Sequence, residues 1–302
     1  MKAQVYDLEG KKTKTIDLPV QFFEEIRPDL VMRTFLAYQS HNRQPYGAYT
    51  KAGQRASAEL SRRRRDFKTA YGHGISRIPR KSLWHRGTQF GWVGAFAPGT
   101  VGGRKAHAPK SQKIWFKKIN KKERRKALRS ALAASVVPEL IKSRGHLFLE
   151  APLILDSKME SINKTKNVEI LLEKLKLEKE LERISQIKIR AGRGKSRGRR
   201  YITKKGPLFV VSNECPLIKS ARNIPGIDIC TVENINIALL APGGTPGRLT
   251  IYSENAIDKI KSENLFLNIK KLKELPKEIK KEIKEQPKKK ENKPKQTKST
   301  KK

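Results

Sequence analysis

The sequence predicts an α/β fold in which a mostly parallel sheet carries helices on both faces. Short apolar runs typical of buried strands alternate along the chain with segments whose apolar residues recur at helical spacing. Strands and helices that alternate in this way favour parallel pairing, because each helix returns the chain to the same end of the sheet. Residues 43–112 and residues 186–206 fit neither pattern, and both segments are strongly basic.

The first half of the globule is predicted to hold two short extended pieces and two helices. Ala3 to Asp7 alternates and ends in a turn, and Ile16 to Pro19 is a second extended piece. A helix opens at Pro28 and runs to Ser40. Asn120 is a suitable N-cap for a helix that reaches Val137, and Pro138 ends this helix or starts another turn.

The second half is predicted to continue the alternation. His146 to Glu150 has the pattern of a strand, and Asn167 to Arg183 that of an amphipathic helix. The elements expected after these are a strand at Pro207–Ser212, a helical turn at Ser220–Asn223, short runs at Gly226–Cys230 and Ile237–Leu240, a strand at Arg248–Tyr252 and a helix at Glu254–Lys261.

Positive charge restricts the function of the chain more than any other property. The 302 residues include 68 Lys or Arg and 29 Asp or Glu, for a formal net charge of +39. Residues 43–112 carry +13, residues 186–206 carry +9 and residues 264–302 carry +10, which leaves +7 for the rest. Such charge exceeds what solubility requires and indicates a polyanionic partner, either a nucleic acid or an anionic membrane face.

The segment 43–112 has the composition of an RNA-binding surface. It combines 15 basic residues with ten glycines and eight aromatic residues, and its few aliphatic residues predict neither an amphipathic helix nor a half-buried strand. Arg and Lys suit phosphates, Gly permits close backbone approach, and aromatic rings stack on unpaired bases. The alternative is a solvated, disordered loop.

The segment 186–206 allows two interpretations. Gly194-Lys195-Ser196 ends like a phosphate-binding loop, but that motif needs a Gly where Ile189 stands, and no apolar helix follows. Six of the eleven residues from Arg190 to Arg200 are cationic, which is excessive for one triphosphate. A clamp on an RNA backbone is favoured, and a solvated basic loop is the remaining alternative.

Several classes of function find little support. Cys215 and Cys230 are the two cysteines and form no C-x-x-C pair, so neither a zinc knuckle nor a disulfide framework is expected. The five histidines are scattered, and no nucleophile site or pair of carboxylates stands out. We find no apolar signal segment and no membrane span, and expect a soluble intracellular protein.

Two rival functions remain open at this stage. The α/β pattern is compatible with an RNA-modifying enzyme that holds a nucleotide cofactor, although Asp7-Leu8-Glu9-Gly10-Lys11 after the first strand is no Gly-rich turn. Membrane-surface binding through the basic tail is disfavoured because the tail lacks Trp and Phe beyond Phe266.

A series of motifs resembles large-subunit ribosomal protein four in its archaeal and eukaryotic form. The resemblance covers about residues 1–262 with its motifs in the right order. They are Gln44-Pro45-Tyr46-Gly47, Ala52-Gly53-Gln54-Arg55-Ala56-Ser57-Ala58-Glu59, Arg77-Ile78-Pro79-Arg80, Gly102-Gly103-Arg104-Lys105-Ala106-His107-Ala108-Pro109, the run from Lys122 to Ala133, the basic patch through Gly206-Pro207, and Ala221-Arg222-Asn223-Ile224-Pro225-Gly226.

The resemblance implies a Rossmann-like globule on the large ribosomal subunit, formed by residues 1–42 and 113–263. It implies that residues 43–112 thread into large-subunit (23S-type) rRNA as an extended loop whose tip, between about Ala70 and Trp92, reaches the wall of the polypeptide exit tunnel. Implied partners are neighbouring large-subunit proteins, including the other protein at the tunnel constriction. Members of the family assist early assembly, use no cofactor and have no catalytic residues.

Candidate RNA contacts follow from residue type and from the resemblance together. Guanidinium groups pair with phosphates in bidentate fashion, and Tyr46, Trp84 and Trp92 are candidates for base stacking, unless these rings cluster inside the segment instead. The full set is Arg43, Tyr46, Arg55, Arg62, Arg63, Arg64, Arg65, Arg77, Arg80, Lys81, Trp84, Arg86, Trp92, Arg104, Lys105, His107, Lys110, Arg124, Arg125, Arg190, Arg193, Lys195, Arg197, Arg199 and Arg200.

Two parts of the chain depart from the family pattern. After Ser57-Ala58-Glu59 the family usually continues with an aromatic residue and glycines, whereas this chain has Leu60-Ser61 and the run Arg62–Arg65. The Lys-rich tail 264–302 matches no family segment, and its low complexity predicts either a disordered segment or an rRNA-binding extension.

Overall fold

The structure is a computed structural model that describes residues 2–66, 69–87 and 89–267. Within these ranges the chain divides into two compact units, one built from residues 2–36 and 119–267 and the other from residues 37–118. Beyond residue 267, the predicted basic tail lies outside the described residues.

In chain order the strands are β1 (Lys2–Tyr6), β2 (Lys12–Asp17), β3 (Arg80–Arg86), β4 (Gln89–Gly94), β5 (Leu153–Leu155), β6 (Lys188–Ile189), β7 (Tyr201–Ile202), β8 (Leu208–Val211), β9 (Asp228–Thr231) and β10 (Thr250–Ser253). The helices are α1 (Pro28–His41), α2 (Lys121–Ala134), α3 (Pro138–Ser143), α4 (Thr165–Lys174), α5 (Glu178–Ser185), α6 (Pro216–Ala221), α7 (Ile237–Leu240) and α8 (Glu254–Ser262). Asn120 lies at the N-cap of α2 as predicted, but its side chain accepts no capping hydrogen bond from the described residues.

The first unit contains a six-stranded sheet in the order β2-β1-β5-β10-β8-β9. Strands β1, β5, β10, β8 and β9 are parallel, with Ile154 of β5 opposite Val5 on one side and Tyr252 on the other. Strand β2 alone pairs antiparallel, at the edge beside β1. The predicted α/β fold with a mostly parallel sheet is therefore confirmed.

Apolar side chains cover the sheet on both faces, as the uninterrupted apolar strands predict. In β8, Leu208 and Val210 join a cluster with residues of α1, α2 and α8, whereas Phe209 and Val211 join a second cluster with residues of α4, α5 and α6. Since neighbouring residues of a strand point to opposite faces, both sides of β8 are buried. The predicted helices lie on both faces of the sheet.

Two predicted elements of this unit are wrong. The sequence from His146 to Glu150 alternates but is no strand, and Leu153–Leu155 forms β5 in its place. The reason is burial: Leu147 and Leu149 are exposed, whereas Leu153–Leu155 is fully buried between β1 and β10. Pattern alone cannot decide which of two neighbouring runs enters the sheet.

The single helix predicted over Asn167–Arg183 is two helices, α4 and α5. The break is a Schellman motif, in which the Leu177 amide donates to the Leu172 carbonyl and the Lys176 amide donates to the Glu173 carbonyl. Lys176 occupies the left-handed position with φ 58°, where glycine is usual. The amphipathic pattern continues through this turn because Leu175 and Leu177 are both buried.

The second unit contains a hairpin that the sequence did not reveal, since the pattern of residues 43–112 indicated only that no half-buried strand is present. Strands β3 and β4 pair antiparallel from Arg80 opposite Gly94 to Arg86 opposite Gln89, with a bulge between Ser82 and Trp84. Most side chains of β3 are exposed. The hairpin therefore lacks the buried alternate face by which strands are recognised in a sequence.

Two ion pairs, each with one fully buried partner, hold the point where residues 186–206 rejoin the sheet. Arg183 forms an ion pair with the fully buried Glu180 and donates to the Lys205 carbonyl oxygen at 2.8 Å. Arg248, also fully buried, forms an ion pair with Asp228 at 2.7 Å and donates to the Gly206 carbonyl oxygen at 2.8 Å. We call these four side chains (Glu180, Arg183, Asp228 and Arg248) the root of residues 186–206.

His146 completes this root from the neighbouring turn. Its Nδ1 lies 2.7 Å from Glu180 Oε1, and the Leu147 amide donates to the other oxygen of that carboxylate. Burial lowers the pKa of His146 below its ordinary value, although the bond to Glu180 opposes this effect. Burial acts to raise the pKa of Glu180, but the bonds from Arg183, His146 and Leu147 outweigh it and hold that pKa below its usual value.

Replacing Lys176 with Gly is expected to stabilise the protein. The left-handed conformation costs an L-residue about 1–2 kcal/mol, and glycine avoids this cost. Part of the resulting gain in stability is lost because glycine has greater conformational freedom in the unfolded chain. We expect the free energy of unfolding to rise by about 0.5–1 kcal/mol, measured by urea denaturation. The control Glu169→Gly, exposed in the middle of α4, should lower it by a similar amount.

The root should make stability depend on pH. As pH falls through the ordinary histidine range, His146 binds a proton in the unfolded chain. In the native protein His146 is buried and faces Arg183 and Arg144, so it stays unprotonated there. The free energy of unfolding therefore falls. Glu180 adds a second loss as pH falls through the ordinary glutamate range, because its native pKa is depressed.

His146→Asn should remove the first loss and leave the second, in urea titrations between about pH 8 and pH 4. His73, exposed on a turn of the second unit, provides the matched control, since His73→Asn should retain both losses. An unchanged profile in His146→Asn would contradict the role assigned to the buried ring.

Candidate nucleic-acid interface

We name residues 43–112 the basic arm and residues 186–206 the basic hairpin. These two segments carry nearly all of the predicted RNA contacts. Arg124 and Arg125 on α2 are the exceptions. Most of the predicted side chains are exposed, and the half-buried ones are Arg80, Lys81, Trp92, Arg104, Arg125 and Arg190. The predicted contacts are therefore largely accessible to a ligand, while the half-buried ones also contact the protein.

The two ends of the arm meet in a stack of rings and cations. Tyr46 stacks on Trp115 with ring centroids 5.0 Å apart and planes inclined by 23°. The Arg43 guanidinium lies 3.8 Å from the Trp115 centroid, and Lys113 Nζ lies 4.6 Å from it. Cation–π contact keeps these charges in place without neutralising them. One face of Tyr46 is thus occupied inside the protein.

Glycines bring the outgoing and returning segments of the arm into backbone contact. A Cβ at Gly47 would lie 2.5 Å from the Ser111 amide nitrogen, and a Cβ at Gly53 would lie 2.5 Å from the Gly103 carbonyl oxygen. Gly53 also has φ +74°, which L-residues rarely adopt. Only glycine fits at these two positions, so the glycines predicted to approach RNA also bring the two segments together.

The arginine run Arg62–Arg65 lies on an exposed turn. The turn is closed by a bridge between Ser61 and Thr69 and by the Thr69 hydroxyl, which donates to the Arg63 carbonyl oxygen at 2.8 Å. All four arginine side chains are exposed. Four adjacent exposed guanidinium groups concentrate positive charge on this turn, and their binding of phosphates stays a prediction.

Further cations of the arm lie over aromatic rings. The Arg55 guanidinium is 4.4 Å from the Tyr49 ring centroid, and the Arg77 guanidinium is 4.4 Å from that of Tyr71. In the β3–β4 hairpin, Trp84 leaves no room for a Cβ at Gly91, whereas Trp92 is half-buried beside Phe90. The predicted stacking residues thus take part in packing, with Trp84 the more exposed of the two tryptophans.

On α2, Arg124 is exposed and Arg125 is half-buried. Arg125 donates to the Leu267 carbonyl oxygen at 3.3 Å, while Arg129, one turn later, contacts Glu24 and the Phe266 carbonyl oxygen. Arg125 therefore also serves to hold the chain at residue 267. RNA contact by either Arg124 or Arg125 stays a prediction.

The basic hairpin is a short ribbon with a structured tip. Its stem pairs β6 with β7, and the Arg190 amide donates to the Arg200 carbonyl oxygen at 2.7 Å. At the tip, the Gly194 carbonyl oxygen accepts from the amides of Arg197 and Arg199. Arg193, Lys195, Arg197, Arg199 and Arg200 are all exposed, so the tip presents cations in several directions.

Gly194-Lys195-Ser196 does not have the surroundings of a nucleotide-binding loop. Residues Lys195–Arg197 form one 3₁₀ turn, and the chain continues into β7. A phosphate-binding loop of that type connects a strand to a long helix whose N-terminus faces the phosphates. The motif is therefore part of the hairpin tip.

In the crevice between the carboxyl ends of β8 and β10, where a cofactor would bind, a carboxylate of the protein accepts hydrogen bonds from both strand ends. Glu160 accepts bonds from the Ser212 amide and hydroxyl at 2.8 and 2.9 Å and from the Ser253 hydroxyl at 2.7 Å. Burial acts to raise the pKa of Glu160, yet bonds from Ser212, Ser253 and Asn255 outweigh it and hold that pKa below its usual value.

Parallel sheets bind nucleotides at the carboxyl ends of their strands. Here the donors that would bind a phosphate are satisfied by Glu160, and its negative charge repels one. The geometry therefore gives no support to a Rossmann-type cofactor site in this crevice.

Membrane anchoring and metal binding would each require a particular feature of the described residues. No helix among them is long and apolar enough to cross a membrane. Nor do these residues bring three His, Cys, Asp or Glu side chains together as metal ligands.

Sequence reasoning missed several residues of these surfaces. Trp115 and Lys113 lie just outside the predicted bounds of the arm, although they complete its ring stack. Tyr201 and Ile189 of the basic hairpin are exposed beside its arginines. An aromatic residue within a run of basic residues is the signal that would have identified Tyr201.

Comparison with known proteins is consistent across most of the chain. A family profile described as "Ribosomal protein L4/L1 family" matches residues 16–263. Proteins named large ribosomal subunit protein uL4 are 51% identical in Nanoarchaeum equitans, over 88% of this chain and 100% of the relative, and 44% identical in Methanocaldococcus jannaschii, over 86% and 98%. The one from Pyrobaculum aerophilum is 43% identical over 88% of this chain and 90% of the relative. The chain therefore belongs to the Ribosomal protein L4/L1 family, as its motifs predicted.

Proposed function

We propose that this protein is a structural constituent of the large ribosomal subunit, in the cytoplasm, and that it binds large-subunit rRNA. The observation that carries the proposal is the pair of basic surfaces in a chain of this family. The arm has two acidic residues among 70 and the hairpin has none, while their cations are mostly exposed. Phosphates of RNA are the counter-charge that such surfaces lack.

The family is one of structural ribosomal proteins, which confirms the expectation that the chain is not an enzyme. Binding to rRNA and to neighbouring ribosomal proteins follows from the same membership. We propose 23S-type rRNA and the other protein at the tunnel constriction as specific partners, and a role in early assembly.

Within this proposal two parts of the chain have different tasks. Residues 1–42 and 113–263 form a Rossmann-like globule, and the arm 43–112 extends into rRNA to line part of the polypeptide exit tunnel. Support for the position of its tip, between about Ala70 and Trp92, comes from its exposed turn at Gly72 and Gly74 and from the β3–β4 hairpin. The Lys-rich tail 264–302 would add charge to the interface.

We assign the predicted contacts to two chemical roles. The exposed arginines of the turn 62–65 and of the hairpin tip bind phosphates, because guanidinium groups pair with them in bidentate fashion. Arg43, Arg55 and Arg77, which lie over aromatic rings, bind phosphates from fixed positions. Trp84 is the candidate for stacking on an unpaired base.

Sedimentation of the tagged protein from a native lysate tests the proposal. We expect it to migrate with the large subunit at low salt and to stay there near molar salt, because contacts threaded into folded RNA are screened less than surface pairs. Loss at moderate salt would contradict the threaded arm but not RNA binding. Absence from the subunit at every salt concentration would overturn the proposal itself.

The salt dependence of binding to purified large-subunit rRNA tests the phosphate contacts. Replacing Arg62 to Arg65 together with Ala should reduce the slope of log K against log salt by up to about 3, since each phosphate contact contributes about 0.7–0.9. The matched control replaces Lys164, Lys166, Lys174 and Lys179, which are exposed on α4, α5 and the preceding turn. An equal change in both variants would show that total charge, not the arginine turn, governs binding.

A further inference from the structure

The stem of the basic hairpin exposes apolar side chains on a strongly charged surface. Exposure is 59% for Ile187, 62% for Ile189, 59% for Tyr201 and 41% for Ile202. Strands β6 and β7 have two residues each, and an isolated ribbon of two strands is only marginally stable in water. Four large apolar side chains at this position call for a ligand that covers them.

The strand register places part of this apolar surface on one face. Ile189 lies directly opposite Tyr201, and Lys188 lies opposite Ile202. Because side chains alternate along a strand, Ile187, Ile189 and Tyr201 share one face of the ribbon. Lys188 and Ile202 lie on the other face. The first face therefore forms a small platform of two aliphatic side chains and one ring.

Charge restricts what can cover the platform. Residues 186–206 contain nine basic residues and no acidic one, and Arg190 and Arg200 adjoin the platform in sequence. A ligand must therefore bring negative charge and an apolar, planar surface together. An unpaired nucleotide does so, because its phosphate is anionic and its base has apolar faces.

Tyr201 differs from the tyrosines of the arm in how tightly its ring is held. Tyr46 stacks on Trp115, and Tyr49 and Tyr71 each have a guanidinium 4.4 Å from the ring centroid. For Tyr201 the corresponding distance, to Arg200, is 5.7 Å. Its ring is accordingly less engaged with the protein and more available to a base.

We propose that Tyr201, supported by Ile189, is a stacking site for one unpaired base of RNA. Arg190 and Arg200, which adjoin the platform in sequence, hold the phosphates on either side of that nucleotide. This inference rests on the proposed function and adds to it a preference of the basic hairpin for bulged or single-stranded RNA over continuous duplex. An A-form duplex offers the hairpin phosphates but no free base face.

Photo-cross-linking to the full chain tests the site directly. The probes are a short RNA of mixed sequence that contains 5-iodouridine, offered once as a single strand and once annealed to its complement. Irradiation joins 5-iodouridine to aromatic rings that stack on it. We expect an adduct on the peptide that contains Tyr201 with the single strand and none with the duplex. An equal yield with both probes, or no adduct at Tyr201 with either, would overturn the stacking site.

Affinity measurements separate stacking from stability of the ribbon. These measurements use the full chain with Arg62 to Arg65 replaced by Ala as the background. In this background, Tyr201→Leu keeps an apolar side chain opposite Ile189 but removes the ring. Stacking on one base contributes about 1–3 kcal/mol, so the dissociation constant for the single strand should rise about 5- to 160-fold, with an unchanged salt slope. Tyr201→Phe should bind as before.

Ile202→Leu, on the opposite face of the ribbon, is the matched control and should also bind as before. A loss in Tyr201→Phe equal to that in Tyr201→Leu, or a loss for the duplex equal to that for the single strand, would overturn the proposal. Failure of the unsubstituted chain to bind either RNA would instead contradict the proposed function, so the two failures are distinguishable.

Discussion

Repulsion between like charges is the constraint on which this structure depends. Two segments of the chain concentrate cations to a degree that opposes their own folding, and acidic side chains within them would compete with phosphates for the same cations. For the basic hairpin, which contains no acidic residue, the nearby acidic groups lie at its root. Glu180 and Asp228 pair with Arg183 and Arg248, and these two arginines donate to the backbone at residues 205 and 206.

This arrangement separates the anchoring of the hairpin from its binding surface. Buried ion pairs contribute little to net stability on average, but removing one partner leaves an uncompensated charge, so they enforce one geometry. The bonds from Arg183 and Arg248 go to carbonyl oxygens, which carry no formal charge. The hairpin is therefore held at its root while each cation at its tip remains available.

In the basic arm, aromatic rings rather than acidic side chains hold the cations in place. Arg43, Arg55 and Arg77 lie over Trp115, Tyr49 and Tyr71, whose faces attract cations without cancelling their charge. A carboxylate in place of each ring would hold the guanidinium more strongly but would remove it as a phosphate ligand. Rings beside arginines thus give order to a segment with little apolar core.

Strand β8 was predictable because Leu208–Val211 is buried on both faces and therefore consists of continuous apolar residues. The β3–β4 hairpin was not, since its strands bury little and leave no periodic signal. The break at Lys176 was hidden by a residue type that seldom adopts positive φ. The root could not be predicted because Glu180 resembles any solvent-facing charge of a helix until the fold brings His146 and Arg183 to it.

Glu160 accepts the hydrogen bonds that a parallel sheet would otherwise offer to an anionic ligand. Backbone amides and hydroxyls at the carboxyl ends of parallel strands normally receive a ligand's phosphate. Here Ser212 and Ser253 donate to the Glu160 carboxylate, which ties the ends of β8 and β10 together. Because Glu160 accepts these hydrogen bonds, the strand ends offer no free donors of this kind to an anion, and the exposed cations lie on the basic arm and on the basic hairpin instead.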